Sequence, residues 1–361
     1  MRADSQTTKP RPTFFLLLKT QYENLGDLII NRECIGLLRT RGTVAVGLAH
    51  APAAFIANLH LAPGEERTAR AGFHLELIRS ALSGDGDTYY VLLPGGYSGD
   101  LRGMQAVKEC ISTAYFWLLR LCGVKIIRMG ASMGPYSPGR ARFEKLKSRA
   151  MRLIGLRDHI SLAYADSIGL AHVRRFPDFA FMLPTRQHTP DRQAPYIVLS
   201  FRAEGAQHID EIATAARRML DALDPQRRHR IVLSAQVERD EPVCAALKQR
   251  LEADRPCETV GAAIGESALF DLYQQAAWVL SNRLHVLLFS ASCGAPVWAL
   301  VHPARNRKII GLFEDSGMAE RLVDLTRQEL PAMATPADPG VDIAIFARAR
   351  SGIVQAIAAL P

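Results

Sequence analysis

Residues Ser281–Pro296 read SNRLHVLLFSASCGAP. The stretch follows an apolar run, Ala276–Leu280, and leads into another, Pro296–Leu300. Both runs have strand length, and the apolar segment from Leu284 has helix length. Strand, handover, helix and strand in that order make a unit of a parallel sheet covered by helices. Arg283 and His285 stand out in it, because they fall at the first turn of the helix. Free N–H groups and the helix dipole make that end attractive to anions. Arg283 adds a fixed positive charge, and His285 adds a group that exchanges a proton near neutrality. A lone buried histidine is ordinarily structural. An Arg-x-His pair at a helix start weights the reading toward function.

The same alternation runs outward along the 361 residues. Phe14–Leu18, Val44–Leu48, Tyr89–Leu93 and Lys125–Met129 read as strands, and Ile160–Tyr164 as a short one. Gly26–Leu38, Val107–Leu121 and the basic Arg140–Ile154 read as helices. Leu183–Pro195 holds three prolines and little apolar content, which marks a linker. The alternation then restarts. Tyr196–Phe201, Arg230–Ser234, Trp278–Ser281 and Val297–Leu300 are expected strands. Ile209–Leu223, Pro242–Glu252, Ala268–Gln275, 284–293 and Val341–Leu360 are expected helices. The pattern predicts an α/β protein of two Rossmann-like domains, 1–188 and 189–361, facing across a cleft. The last helix is free to pack back on the first domain.

Composition narrows the function classes. The chain is 48% hydrophobic and 22% charged, as in a soluble globular protein, with a net charge of +8. That balance favours anionic partners without choosing among them. The six cysteines form no C-x-x-C pair and read as reduced thiols, with no metal site. Met1–Pro10 is polar and expected to fray. No run approaches the roughly 20 apolar residues of a membrane helix, so a cytoplasmic protein is expected. The basic segment Arg140–Arg152 is either a solvated helix face or a contact with an anionic inner membrane or a lipid-pyrophosphate carrier. Nucleic-acid binding is not expected, because no aromatic platform accompanies the charge.

Ligands of such sheets bind outside the carboxyl ends of the strands. After the first strand stand Asn24, Gly26 and Asp27. Gly26 permits a tight turn, and Asp27 either caps the helix or offers a carboxylate at the cleft floor. Gly95 and Gly96 follow another strand, and Gly130-Ala-Ser-Met-Gly-Pro135, with Ser132 and Gly134, follows a third. Both read as small-residue loops that let a ligand approach the backbone. Arg202 ends the first strand of the second domain and is placed to fork onto a carboxylate or phosphate. Asn306-Arg-Lys308 returns cations to the same edge. The sum is a cleft for a small, highly anionic substrate and acid/base chemistry.

These residues together resemble the polysaccharide pyruvyl transferase family. The matching pieces run in family order over residues 14–320: Asn24-Leu-Gly-Asp27; the Gly95-Gly96 loop; Gly130–Pro135; Leu156-Arg-Asp158 with Ser161; Pro177-Asp-Phe-Ala-Phe181; Ser200-Phe-Arg202; Gln236 with Asp240; Ser281-Asn-Arg-Leu-His285; Gly294-Ala-Pro296; and Lys308. The Ser-x-Arg-Leu-His segment is the most specific. The first glycine loop, Leu93-Pro-Gly-Gly-Tyr-Ser-Gly99, departs from relatives that carry three or four consecutive glycines, which bears on the acceptor more than on the donor.

The resemblance implies a GT-B-like fold. It also implies transfer of pyruvate from phosphoenolpyruvate onto two hydroxyls of one sugar of an exopolysaccharide or its precursor, with no cofactor. Arg283 and His285 match the family's active-site Arg and His. His285 is the expected acid/base, and Asp27 the candidate base for a sugar hydroxyl. Arg283, Arg202, Lys308 and Ser281 would hold phosphoenolpyruvate. Asn24, Gly26, Gly95, Gly96, Ser132 and Gly134 fall on the acceptor side or its loops. A GT-B glycosyltransferase using a nucleotide-sugar donor, or a non-catalytic component of a polysaccharide assembly complex, would fit the same cleft.

Overall fold

The computed structural model describes residues 11–361 except 49, 102, 192, 194, 333 and 336–339. The expected fraying of Met1–Pro10 therefore lies outside the described residues. The first half contains β1 (Thr13–Leu17), α1 (Leu25–Arg39), β2 (Thr43–Gly47), α2 (Ala53–Asn58), β3 (Glu66–Arg67), α3 (Arg70–Ser83) and β4 (Thr88–Leu92). It continues with β5 (Gly95–Gly99), α4 (Met104–Leu121), β6 (Lys125–Tyr136), α5 (Pro138–Ala150), β7 (Leu153–Leu156), α6 (His159–Ser167) and β8 (Val173–Arg175). These strands form a parallel sheet in the order β3-β2-β1-β4-β6-β7-β8, with β5 also paired to β6.

The second half contains β9 (Tyr196–Ser200), α7 (Gly205–Leu223), β10 (Arg230–Ser234), α8 (Glu241–Leu251), β11 (Cys257–Val260), α9 (Glu266–Gln275) and β12 (Trp278–Ser281). After these come α10 (Leu284–Ser292), β13 (Val297–Val301), α11 (Arg307–Asp315), β14 (Leu322–Asp324) and α12 (Ala344–Ala358). Its parallel sheet runs β11-β10-β9-β12-β13-β14. Strand order reverses beside β1 and β4 in the first sheet and beside β9 and β12 in the second. Such switch points open a crevice at the strand ends.

Side chains alternate across each strand. Phe14 and Leu16 face a core that also takes Val198, Val279 and the buried face of α10, whereas Phe15 faces Phe73 and Phe116 on the outer side. Ile197 and Leu199 turn to a third core with Met219 and Trp298. The middle core thus belongs to both halves. The last helix closes it: Phe346 of α12 meets Phe181 edge-on, with ring centroids 5.1 Å apart.

A two-pronged pair also joins the halves. Arg32 of α1 donates to both oxygens of Glu266 on α9, at 2.8 and 2.7 Å. Arg32→Ala is expected to cost roughly 1 kcal/mol, the upper end for a pair still partly in water. Urea unfolding of the variant measures it.

Three local expectations are corrected. Ile160–Tyr164 is not a strand but lies inside α6, whose N-cap Asp158 accepts from the Ser161 N–H at 2.7 Å. The basic helix ends at Ala150, and Leu153 and Ile154 enter β7. The face of α5 is not wholly solvated either: Glu144 and Lys147 are buried, and Glu144 pairs with Arg128 at 3.3 Å.

Candidate active site

Both switch points open into one cavity of about 790 Å³ between the sheets. Its walls come from the ends of β1 and β4 on one side and of β9 and β12 on the other. Asn24, Asp27, Gly95, Gly96, Arg157, Arg202, Arg283, His285 and Lys308 all reach it.

Arg283 is the N-cap of α10 in extended conformation, and no side chain caps that helix. Leu284, His285 and Val286 border the cavity, so the uncapped end of α10 abuts it. The Arg283 guanidinium abuts the buried Asp240 carboxylate. Burial, then the neighbouring cations Arg202 and Arg239, push it down to about 9, which still leaves it cationic at neutral pH. Arg202 is fixed through its backbone: its N–H donates to Asn282 Oδ1 and its carbonyl accepts from Asn282 Nδ2, both at 2.8 Å. Those two bonds tie the ends of β9 and β12 together.

Lys308, from the first turn of α11, projects across the cavity. A Cβ on Gly96 would lie 3.9 Å from its Nζ. The protein walls around it, then the cations Arg157 and Arg202, hold its ammonium below the usual lysine value. The side chain is also open to water in the cavity, which tempers that effect.

His285 stands where the two halves meet. Its Nε2 lies 3.9 Å from Oδ2 of Asp178, which comes from the first half, and its ring stacks on Phe289 at 5.8 Å. Asp178 is 1% exposed and also pairs with the buried Arg157. Burial pushes the Asp178 carboxyl up, but Arg157, His285 and the Ala180 N–H outweigh it and hold it well below the usual carboxylate range. Arg157 in turn donates from Nε to Ser132 Oγ at 2.7 Å, and Ser132 donates to Asp158 at 2.6 Å. The histidine is therefore backed by a chain of buried charges anchored in the first sheet. Such an arrangement holds the carboxylate facing the ring.

A family profile for polysaccharide pyruvyl transferases matches residues 24–303. The chain belongs to the polysaccharide pyruvyl transferase family. No curated protein sequence matches it. Solved structures give the fold. Anabaena Alr3699/HepE, in complex with UDP-glucose, is similar at TM-score 0.58 and 14% identity, covering 96% of this chain and 98% of its own. A glycosyltransferase from Rickettsia africae gives TM-score 0.58 at 9% identity, covering 96% and 92%. An E. coli structure described as trehalose-6-phosphate bound with UDP-2-fluoro glucose gives TM-score 0.54 at 10% identity, covering 97% of this chain and 96% of its own. The fold of this family member is GT-B.

Within that fold, four of the sequence-derived residues sit elsewhere than expected. Ser281 is fully buried and does not reach the cavity; its hydroxyl donates to the Ser200 carbonyl and accepts from the Arg283 N–H, so it positions Arg283. Ser132 and Gly134 border an adjoining cavity of about 260 Å³, which shares Gly96, Tyr97, Arg305 and Lys308 with the first, and Ser132 is held in the buried charge chain. Gly26 makes no tight turn. It lies inside α1, where a Cβ would come within 2.5 Å of His285 Nδ1, so glycine there makes room for the histidine. The helix cap is Asn24, which accepts from Gly26 N–H at 3.0 Å, rather than Asp27. Asp27 accepts from Thr20 Oγ1 at 2.6 Å and keeps one edge on the cavity. The expected glycine loops are also strands: Gly95–Gly99 is β5, and Gly130–Pro135 lies within β6.

Asp178, Arg157 and Asp240 were given no role by the sequence reading, although the segments that hold them matched the family. A carboxylate in Phe-Pro-Asp-Phe carries no local sign of His285, which stands more than a hundred residues away. The signal in the sequence that points to them is the family order of their segments.

Proposed function

We propose that the protein transfers the pyruvyl group of phosphoenolpyruvate to two hydroxyls of one sugar, forming a cyclic ketal and releasing phosphate. One observation carries this reading: a His285–Asp178 pair set among Arg157, Arg202, Arg283 and Lys308, in a cavity roomier than a three-carbon donor needs. The cations and the open end of α10 suit a ligand with a carboxylate and a phosphate. The remaining volume, beside Asp27 and the Gly95-Gly96 strand, suits a sugar.

In this reading the ring nitrogen of His285 turned away from Asp178 delivers a proton to the donor's methylene carbon. C2 becomes electrophilic, and a sugar hydroxyl adds to it, losing its proton to Asp27. The C2–O bond to phosphate then breaks, the phosphate leaving with the bonding pair. The second hydroxyl adds to C2 and closes the ketal, and its proton leaves with the phosphate. One proton gained at carbon and two lost from the hydroxyls balance the protonation of phosphate. The acceptor is a sugar of an exopolysaccharide or its precursor.

Calorimetric titration with phosphoenolpyruvate tests the donor, with UDP-glucose alongside. Wild type is expected to bind phosphoenolpyruvate, and Arg283→Ala to bind it roughly ten- to a hundred-fold more weakly, the loss of charge-assisted hydrogen bonds. The uncovered Asp240 carboxylate adds repulsion in the variant. UDP-glucose binding without phosphoenolpyruvate binding would overturn the reading in favour of glycosyl transfer.

A further inference from the structure

The outer side of the first sheet carries a surface that the cleft chemistry leaves unused. Met104, Val107, Ile111, Ala114, Leu118 and Leu121 of α4 are all exposed, Met104 at 71% and Leu121 at 83%. Their spacing alternates three and four residues, one continuous stripe along the helix. The opposite face of α4 buries Thr113, Phe116 and Leu119. A helix apolar on both faces is normally covered on both.

Its neighbours extend the patch. α3 lies against α4 through His74 Nδ1 and the Tyr115 hydroxyl, 2.6 Å apart, and exposes Leu75 and Leu82. α5 lies on the other side through the Lys147–Glu109 pair, and exposes Leu146.

Charge decides what covers this face. The three helices hold one carboxylate each, Glu76, Glu109 and Glu144. Each is consumed in an ion pair, with Arg67, Lys147 and Arg128 respectively. Arg79, Lys108 and Arg142 are exposed and have no carboxylate partner among the described residues. The patch is thus apolar with a purely cationic free charge. A second copy of the same face would bring cations against cations.

We propose that this face docks on an anionic lipid bilayer. Apolar side chains of α4 enter the interface, and the surrounding cations meet anionic headgroups. α4 and α5 both begin beside the end of β5: Leu101 N–H donates to Ser137 Oγ at 3.1 Å, and a Cβ on Gly99 would lie 3.4 Å from Arg140. β5 also lends Gly95 and Gly96 to the cleft, so the docked surface adjoins the cleft's first-domain rim. The proposal does not depend on the identity of the donor.

Flotation of the full chain tests it, with phosphatidylcholine vesicles with and without phosphatidylglycerol. Wild type is expected to float only with the anionic vesicles and to be released by salt. Lys108→Glu with Arg142→Glu is expected to lower partitioning by roughly 30-fold or more, from about 1 kcal/mol per cation. Ile111→Glu with Leu118→Glu is expected to abolish it. All these side chains are solvent-exposed, so both variants keep the wild-type circular dichroism spectrum and urea midpoint. Failure of wild type to float, or flotation of both variants like wild type, would overturn the proposal. So would a dimer in sedimentation velocity that Leu118→Glu dissociates.

Discussion

Asp178→Ala is expected to lose about 3–5 kcal/mol of folding stability, the cost of stranding a buried charge. The charge stranded is Arg157, whose side chain is 2% exposed and whose remaining partner is the neutral Ser132 hydroxyl. Against a total of about 5–15 kcal/mol that is a large fraction, and the urea midpoint should fall accordingly. Asp178→Leu with Arg157→Met removes both charges and should recover much of the loss, because an apolar pair of similar volume carries no desolvation penalty. Turnover should recover in neither variant, since both leave His285 without its carboxylate. A stability effect that follows Arg157 and an activity effect that follows His285 would separate the two roles of one side chain.

The same carboxylate predicts an acid sensitivity with a definite sign. Its folded pKa is depressed, so the stability it contributes is complete above the unfolded carboxyl value of about 3.9 and is lost as pH falls below it toward the folded value. Wild type should therefore lose stability more steeply than Asp178→Asn as pH falls below about 4. Parallel acid limbs for the two proteins would show that the native carboxyl is not depressed.

What the sequence disclosed of this fold follows from how parallel sheets are buried. Arg230–Ser234 and Trp278–Ser281 each carry a continuous apolar stretch, Ile231–Leu233 and Trp278–Leu280, and both strands have the expected bounds. Ile160–Tyr164 is an apolar run of the same length, but Asp158 caps it into a helix; a short run does not distinguish the two by itself. β5 and the end of β6 escaped notice for the opposite reason. They are built of glycine and small residues, with positive φ at Gly95, Gly99, Gly130 and Gly134, and look like loops by composition. Arg202 and Arg283 were legible because each stands two residues beyond the end of its strand. The Asp178–His285 pair was not, because it forms only when two domains meet. The exposed stripe of α4 was hidden as well. Its apolar residues read as ordinary helical periodicity until the opposite face was seen to fill the core.

The steric relation between Gly26 and His285 gives the sharpest test of the catalytic assignment. His285→Ala is expected to lower kcat by about 10²–10⁴-fold, the range for a positioned acid or base. Phosphoenolpyruvate affinity should change little, because Arg202, Arg283 and Lys308 remain. Gly26→Ala should act through the same ring without touching substrate. Its Cβ would come within 2.5 Å of Nδ1 and 2.9 Å of Cγ, so the imidazole must move. Gly26 sits in the first turn of α1 without a positive φ, and alanine is the better helix former, so the helix itself loses nothing. A displacement of about 1 Å at a reacting group can cost 10²-fold. A kcat loss of roughly that size is therefore expected, with a stability loss of about 1–3 kcal/mol, because the His285 Cβ also stands 2.9 Å from the added methyl. Combining Gly26→Ala with His285→Ala should be no worse than His285→Ala alone, since the alanine then fills space the ring has left. Multiplying losses in the double variant, or wild-type turnover in Gly26→Ala, would mean that the position of this ring does not control the chemistry.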